Sequence, residues 1–430
     1  MPAPAEAARI GAVIRGARSA ARWTQAELGT RIGYSASGVS RIESGLLSPG
    51  RQTLERISEV LHIPACELRP AGSGGDSVTS VPGRLQEDAV RRRELLAGAV
   101  GLGAALAVPA GPAAAAVPES GPSVPLERAL FNPAAVSAPW TDSRVARSLE
   151  GARRDFRAAR YAVLGAALPG LIAGSEAARD DARGRARELA NGAVARTYVL
   201  ATELALKEHS DCAWVTADRA LAAARAGGDP VVIGEAARVL AITMRRAGRP
   251  QAAVDFLART AAGMTGSGAE RHVRATMLLT AAYTAASGGR RSTALSLMAE
   301  AVDAVAVPNA AASGLFTVDA SRAQADVYWI GVHNALGTPD EGVLYAARVD
   351  AAALPTAERR ARAATDTARM WHALGDQRRT FAALRMVEQA APEEVRRPAL
   401  RALTADLLYG PGTVPGLRDF AQRTGALAGA

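Results

Sequence analysis

The chain has 430 residues, 49% of them hydrophobic but only 4% aromatic, so its cores must be built from Ala, Leu and Val. That composition favours close-packed helices over sheets, because Ala is the best helix former and a poor strand former. The formal charge of +9 is almost wholly arginine, with Lys207 the only lysine, which permits nucleic-acid binding without requiring it. Two cysteines, Cys66 and Cys212, lie far apart; they fit a reducing cytoplasm and exclude a disulfide framework. No Cys/His group has metal-ligand spacing, so no metal or other cofactor is expected. The first residues lack the charged start and long apolar run of a signal peptide, and a cytoplasmic location is expected.

In chain order, Ile10, Val13, Ile14 and Ala17 repeat at helical spacing between Glu6 and Ala20. Arg15, Arg18 and Arg22 on its rim could reach phosphates or simply solvate the surface. Thr24–Gly45 reads as two short helices joined by a tight turn. Leu28 and Ile32 share one face. Gly33 can take the positive φ that closes a helix, and Ser35 supplies an oxygen to cap the next. Val39 and Ile42 form the buried stripe of the second helix. Gly29 leaves room for the two helices to approach. The opposite face carries Ala36, Ser37, Ser40 and Arg41, short or forked side chains suited to base edges. Leu54, Ile57 and Leu61 mark a further helix, and Pro64–Leu68 reads as a short fifth. Residues 1–70 hold nine arginines against six glutamates, a modest phosphate-binding balance.

The pattern of Thr24, Gln25, Glu27 and Leu28, then Gly33, then Val39-Ser40-Arg41-Ile42-Glu43 and Gly45 resembles the helix-turn-helix of phage-repressor-like (Cro/C1-type, XRE) regulators. The resemblance covers roughly the first 70 residues. It implies that Gln25 holds a backbone phosphate and that Ala36, Ser37, Ser40 and Arg41 read bases, Ala36 through a methyl contact alone.

From Pro70 the composition becomes that of a flexible linker, expected over residues 71–142. Within it, Arg91, Arg92 and Arg93 precede an apolar run, Leu95–Val108. Three readings fit this stretch: a buried or linker helix, a membrane anchor or interfacial helix, and a remnant of a twin-arginine export signal. Its internal position argues against export, and its length is short of a bilayer span. Many actinobacterial regulators are similar in carrying such a segment.

Residues 143–430 read as helical almost throughout. Gly248, Gly289, Gly337 and Gly375 each precede a new helix, at intervals of 41, 48 and 38 residues, and His209-Ser210-Asp211 does the same earlier. The intervals lie somewhat above the roughly 34 of a tetratricopeptide repeat. Helix, turn, helix units cannot bury their own faces and must stack. The stretch from about residue 193 to 409 resembles degenerate tetratricopeptide-like repeats, although the Trp-x-x-Leu-Gly signature is absent.

The expected architecture is therefore all-α: a five-helix DNA-binding domain (1–70), a linker with a short apolar helix (71–142) and an α-solenoid (143–430). A curved stack offers a concave surface for a signal peptide, small molecule or protein partner. Tyr328 and Asn334 are the candidate ligand groups, from a wider set of Tyr198, Trp214, Tyr283, Trp329, His333, Trp371 and His372, most of which would equally serve as core. An Asn side chain can pair with both groups of a peptide backbone. No phosphate loop, HExxH or GxSxG motif is present, so catalysis is not expected. The preferred reading is a sequence-specific transcriptional regulator that binds double-stranded DNA as a homodimer, with repeats that dimerise or take a signal. The alternative is a membrane-associated scaffold.

Overall fold

Nineteen α-helices and two short 3-10 turns make up the regular structure of the described residues, which include no strand. The computed structural model describes residues 4–21, 23–47, 49–64, 67–68, 121–132, 139–266, 268–305, 316–410, 412 and 414–427. The Arg91–Val108 segment and most of the expected linker lie outside them, as do Arg22 and part of the expected fifth helix.

The N-terminal helices are α1 (Pro4–Ala20), α2 (Gln25–Ile32), α3 (Ala36–Glu43) and α4 (Arg51–Leu61). Ile10, Ile14, Leu28, Ile32, Val39, Ile42, Ile57 and Leu61 close on one another as their core. These are the positions that the helical spacing marks as apolar.

Inside the stretch expected as linker, α5 (Val124–Phe131) is a helix whose Leu126 and Leu130 are buried in the main core. Its eight residues, flanked by proline-rich sequence, are too few to show a clear period. Next come α6 (Asp142–Arg157) and α7 (Tyr161–Asp181). By length and composition α7 could cross a membrane, but Leu164, Leu168, Leu171 and Ile172 pack in the core.

Five helix pairs follow: α8 (Gly184–Glu208) with α9 (Cys212–Gly227), α10 (Pro230–Arg246) with α11 (Pro250–Ala262), α12 (Gly268–Ser287) with α13 (Arg291–Val305), α14 (Arg322–Leu336) with α15 (Pro339–Arg348), and α16 (Ala357–Ala373) with α17 (Gln377–Ala390). Helices α18 (Pro398–Leu408) and α19 (Leu417–Arg423) end the stack. The four expected glycines all sit in these turns with φ between 72° and 79°. Between α8 and α9 the same left-handed position is held by His209, at φ 62°.

The first helices of successive pairs touch each other, so α8, α10, α12, α14 and α16 form one wall. Alanines such as Ala236, Ala281, Ala285 and Ala325 let the backbones approach closely. Threonines buried among them donate to their own preceding turns: Thr202 to Tyr198 O at 2.7 Å, Thr243 to Val239 O at 3.0 Å, Thr284 to Thr280 O at 2.7 Å. Their hydroxyls therefore enter the core without an unmet hydrogen bond.

Candidate nucleic-acid interface and repeat cavity

The α2–α3 unit is fixed by local chemistry. The Thr24 side chain accepts from Glu27 N, while Glu27 Oε2 accepts from Thr24 N at 2.7 Å. This reciprocal cap satisfies two backbone donors at the start of α2. It also holds the Glu27 carboxyl below its ordinary pKa, because the bonds from Thr24 favour the charged form. Gly33 takes φ 75°, and Tyr34 N then donates to Gly29 O at 2.8 Å. A Cβ on Gly29 would lie 2.3 Å from Tyr34 O. The space that glycine leaves is thus taken by the turn's own carbonyl rather than by the facing helix. Ser35 Oγ accepts from Gly38 N at 3.1 Å and starts α3.

Glu43, at the end of α3, is 2% exposed and gathers three partners. Arg18 Nε donates to Oε1 at 2.5 Å, Gln25 Nε2 to Oε2 at 2.9 Å, and Arg15 Nε lies 3.9 Å away. Arg18 also donates to Trp23 O at 2.6 Å. Of the rim arginines, Arg18 is therefore a strut inside the domain, whereas Arg15 stays open to solvent. Gln25 is likewise spoken for by Glu43, although it remains half-buried at the start of α2. The chain does not show this carboxylate hub locally, because its members come from three helices.

On α3, Ala36 and Ser40 are exposed and Arg41 is half-buried; the side chain of Ser37 lies outside the described residues. Arg41 Nη1 donates to Gly337 O at 2.9 Å, and Ser35 Oγ donates to Asp340 Oδ2 at 3.1 Å. The Arg291 guanidinium lies 5.1 Å from the Tyr34 ring centre while pairing with Glu341 at 2.6 Å. Leu47 fills the space above Gly337, where a Cβ would come 2.2 Å from its Cδ1. The start of α3 thus rests on the α14–α15 turn, and the side chain suited to reading guanine is turned toward that turn.

The α8–α16 wall bounds a cavity of about 370 Å³. Eight cationic side chains and three carboxylates line it. Tyr328 is on its wall. Asn334 is not: its Nδ2 donates to Asp366 O at 2.8 Å and ties α14 to α16. His333 is also away from it, buried against Trp329 and Tyr345 with Nδ1 3.1 Å from Thr338 Oγ1. Tyr198 bonds Glu176 and Arg219. The sequence marks aromatic and amide groups here; the arginines that dominate the cavity are not legible in it, because they lie far apart along the chain. A larger cavity, about 600 Å³, opens beside α6 and α8. Both of its arginines are matched, Arg185 to Glu188 at 2.6 Å and Arg196 to Glu235 at 2.9 Å. Among the described residues no group of His, Cys, Asp and Glu could hold a metal ion.

No curated protein matches the chain. Among solved structures it is similar to the crystal structure of Bacillus thuringiensis PlcR in complex with the peptide PapR7 and DNA, at 12% identity and a TM-score of 0.28, over 88% of this chain and 99% of that one. An overlap that loose fixes neither fold nor ligand. Residues 9–71 match the family model described as a helix-turn-helix domain, a span that takes in most of α1 and all of α2, α3 and α4.

Proposed function

We propose that the chain is a DNA-binding transcriptional regulator, with α3 as the helix that enters the major groove of double-stranded DNA. The observation that carries this is the capped α2–turn–α3 unit, which keeps Ala36 and Ser40 exposed on one face of α3 with Arg41 beside them. One such domain makes few base contacts, so useful affinity needs two copies, and the protein acts as a homodimer in the cytoplasm. It is not an enzyme; the repeats receive a signal.

The contact of α3 with the α14–α15 turn suggests how that signal is read. With Nη1 committed to Gly337 O, Arg41 cannot offer a base its full guanidinium fork. The bound arrangement is therefore the silent one, and DNA binding selects the conformer in which the turn has let go. A ligand acts only through its different affinity for the two conformers.

Genome-wide mapping of bound DNA, followed by competition between a recovered site and random duplex, tests this. Arg41→Ala is expected to reduce preference for the site by about 1–3 kcal/mol. Asp340→Ala, which removes the Ser35 contact, is expected to tighten binding to both duplexes. No preference for any duplex at low salt, in the full chain or in Asp340→Ala, would refute the proposal. Pelleting of the chain with membranes on fractionation would instead favour a membrane-associated scaffold.

A further inference from the structure

We infer that the cavity on the α8–α16 wall is a binding site for a small multivalent anion, one bearing phosphate or several carboxylates. The inference rests on the reading of the repeats as a ligand-receiving region and not on the DNA-binding reading.

The charge balance points there. Most cations of the wall are matched: Arg238 to Glu203, Lys207 and Arg359 to Glu358, and Arg362 and Arg369 to Asp366 at 2.8 and 3.6 Å. Arg397 and Lys207 share Glu394, just behind the wall. Arg245 and Arg246 have no carboxylate partner among the described residues. Arg245 bonds only the Thr284 hydroxyl, at 3.2 Å, and lies 4.6 Å from the centre of the Tyr283 ring. The Arg362 guanidinium is against the same ring, at 5.8 Å. Arg246 donates to the Leu206 carbonyl, and its other nitrogens meet no partner among the described residues.

A guanidinium stays charged in any protein setting, so this surplus cannot be relieved by losing a proton. Burial, and then neighbouring arginines, push the ionisation of Arg245 and Arg246 downward, and they do the same to His209 at the mouth. Gln324, on the same wall, is 1% exposed, and neither its Nε2 nor its Oε1 has a partner. An amide left so is a desolvation cost that a polar group of an occupant would relieve. Guanidinium forks match phosphate and carboxylate oxygens two by two. The volume suits a metabolite rather than a long peptide.

Isothermal titration of the full chain with pyrophosphate and, separately, citrate, at matched ionic strength against chloride, tests the site. Saturable uptake of either is expected, and the stronger of the two identifies the head group. Arg245→Met should weaken it at least tenfold, and so should Arg246→Met, a position that reaches solvent at the rim of the cavity, so that its substitution guards against a folding defect. Arg378→Met, on the outer helix α17, should leave it unchanged. Uptake of neither anion, or equal uptake by all four proteins, overturns the inference. DNA binding is scored on the same samples: intact DNA recognition with no anion uptake sinks the site alone, and anion uptake without DNA recognition sinks the regulator reading alone.

Discussion

The N-terminal helices and the repeat wall treat buried charge in opposite ways. In the first, one carboxylate, Glu43, serves Arg18, Arg15 and Gln25, and the cluster is closed on itself. In the second, arginines outnumber the carboxylates that face them. A closed cluster ties elements into one arrangement; an open one is held in readiness for an outside partner. The contrast predicts opposite responses to deletion. Glu43→Gln strands Arg18, whose side chain is only 14% exposed, and is expected to cost about 3–5 kcal/mol. Urea unfolding followed by a probe in the N-terminal helices reads this. Arg245→Met should leave the midpoint unchanged or raise it; equal losses for the two variants would erase the distinction.

Next in size is Gly29→Ala. Its new Cβ would sit 2.3 Å from the Tyr34 carbonyl, which is already fixed by its place in the turn. Because backbone rather than a flexible side chain must shift, we expect a loss of about 3 kcal/mol. The N-terminal helices should then melt before the repeats in a thermal scan followed by hydrogen exchange, a separation that a merely tolerant turn would not produce.

Those two regions were also unequally legible. The N-terminal unit announces itself because its determinants are local: Thr24 three residues before Glu27, Gly33 at the turn, Leu28 and Ile32 on one face. The repeat turns were visible wherever glycine supplies the positive φ, as at Gly248 and Gly375. At the earliest turn Ser210 and Asp211 mark the break before the next helix, but nothing in His209 signals its left-handed backbone. Helix α5 was lost in a proline-rich stretch because eight residues barely define a period. Arg245 and Arg362 meet at Tyr283 only through the stacking of three helices, so no local pattern could join them. Glu43 was equally hidden: it reads as a surface carboxylate until α1 and α2 close over it.

Acid should dissect the wall in two steps. Burial holds the His333 imidazole neutral, with a pKa lowered to about 4, so its stabilisation is complete above about 6.5 and drains away as pH falls toward 4. Glu358 is depressed to about 2 because Arg359 and Lys207 outweigh the cost of its burial. Its stabilisation is present above about 4.5 and is lost as pH falls toward 2. Each step is expected to remove about 3 kcal/mol. His209 and His272 are shifted in the same direction as His333, so the upper step is isolated as the difference between the wild-type and His333→Phe curves. A flat difference between pH 6.5 and 4 would place His333 in a solvated setting instead.

Ser35 is where the two regions meet, and the smallest effect is expected there. Its hydroxyl accepts from Gly38 N within the domain and donates to Asp340 across to the repeats. Ser35→Ala removes both and should lower stability by about 1 kcal/mol, the usual worth of a helix cap. Ser35→Asp keeps the acceptor for Gly38 N but sets a carboxylate against Asp340, so it should hold α3 while loosening the contact with the α14–α15 turn. Stability and DNA affinity should then part company: Ser35→Ala loses stability, whereas Ser35→Asp keeps it and gains affinity. Were both variants to lose affinity in step with stability, Ser35 would be a cap alone, and the α3 contact would have no part in regulation.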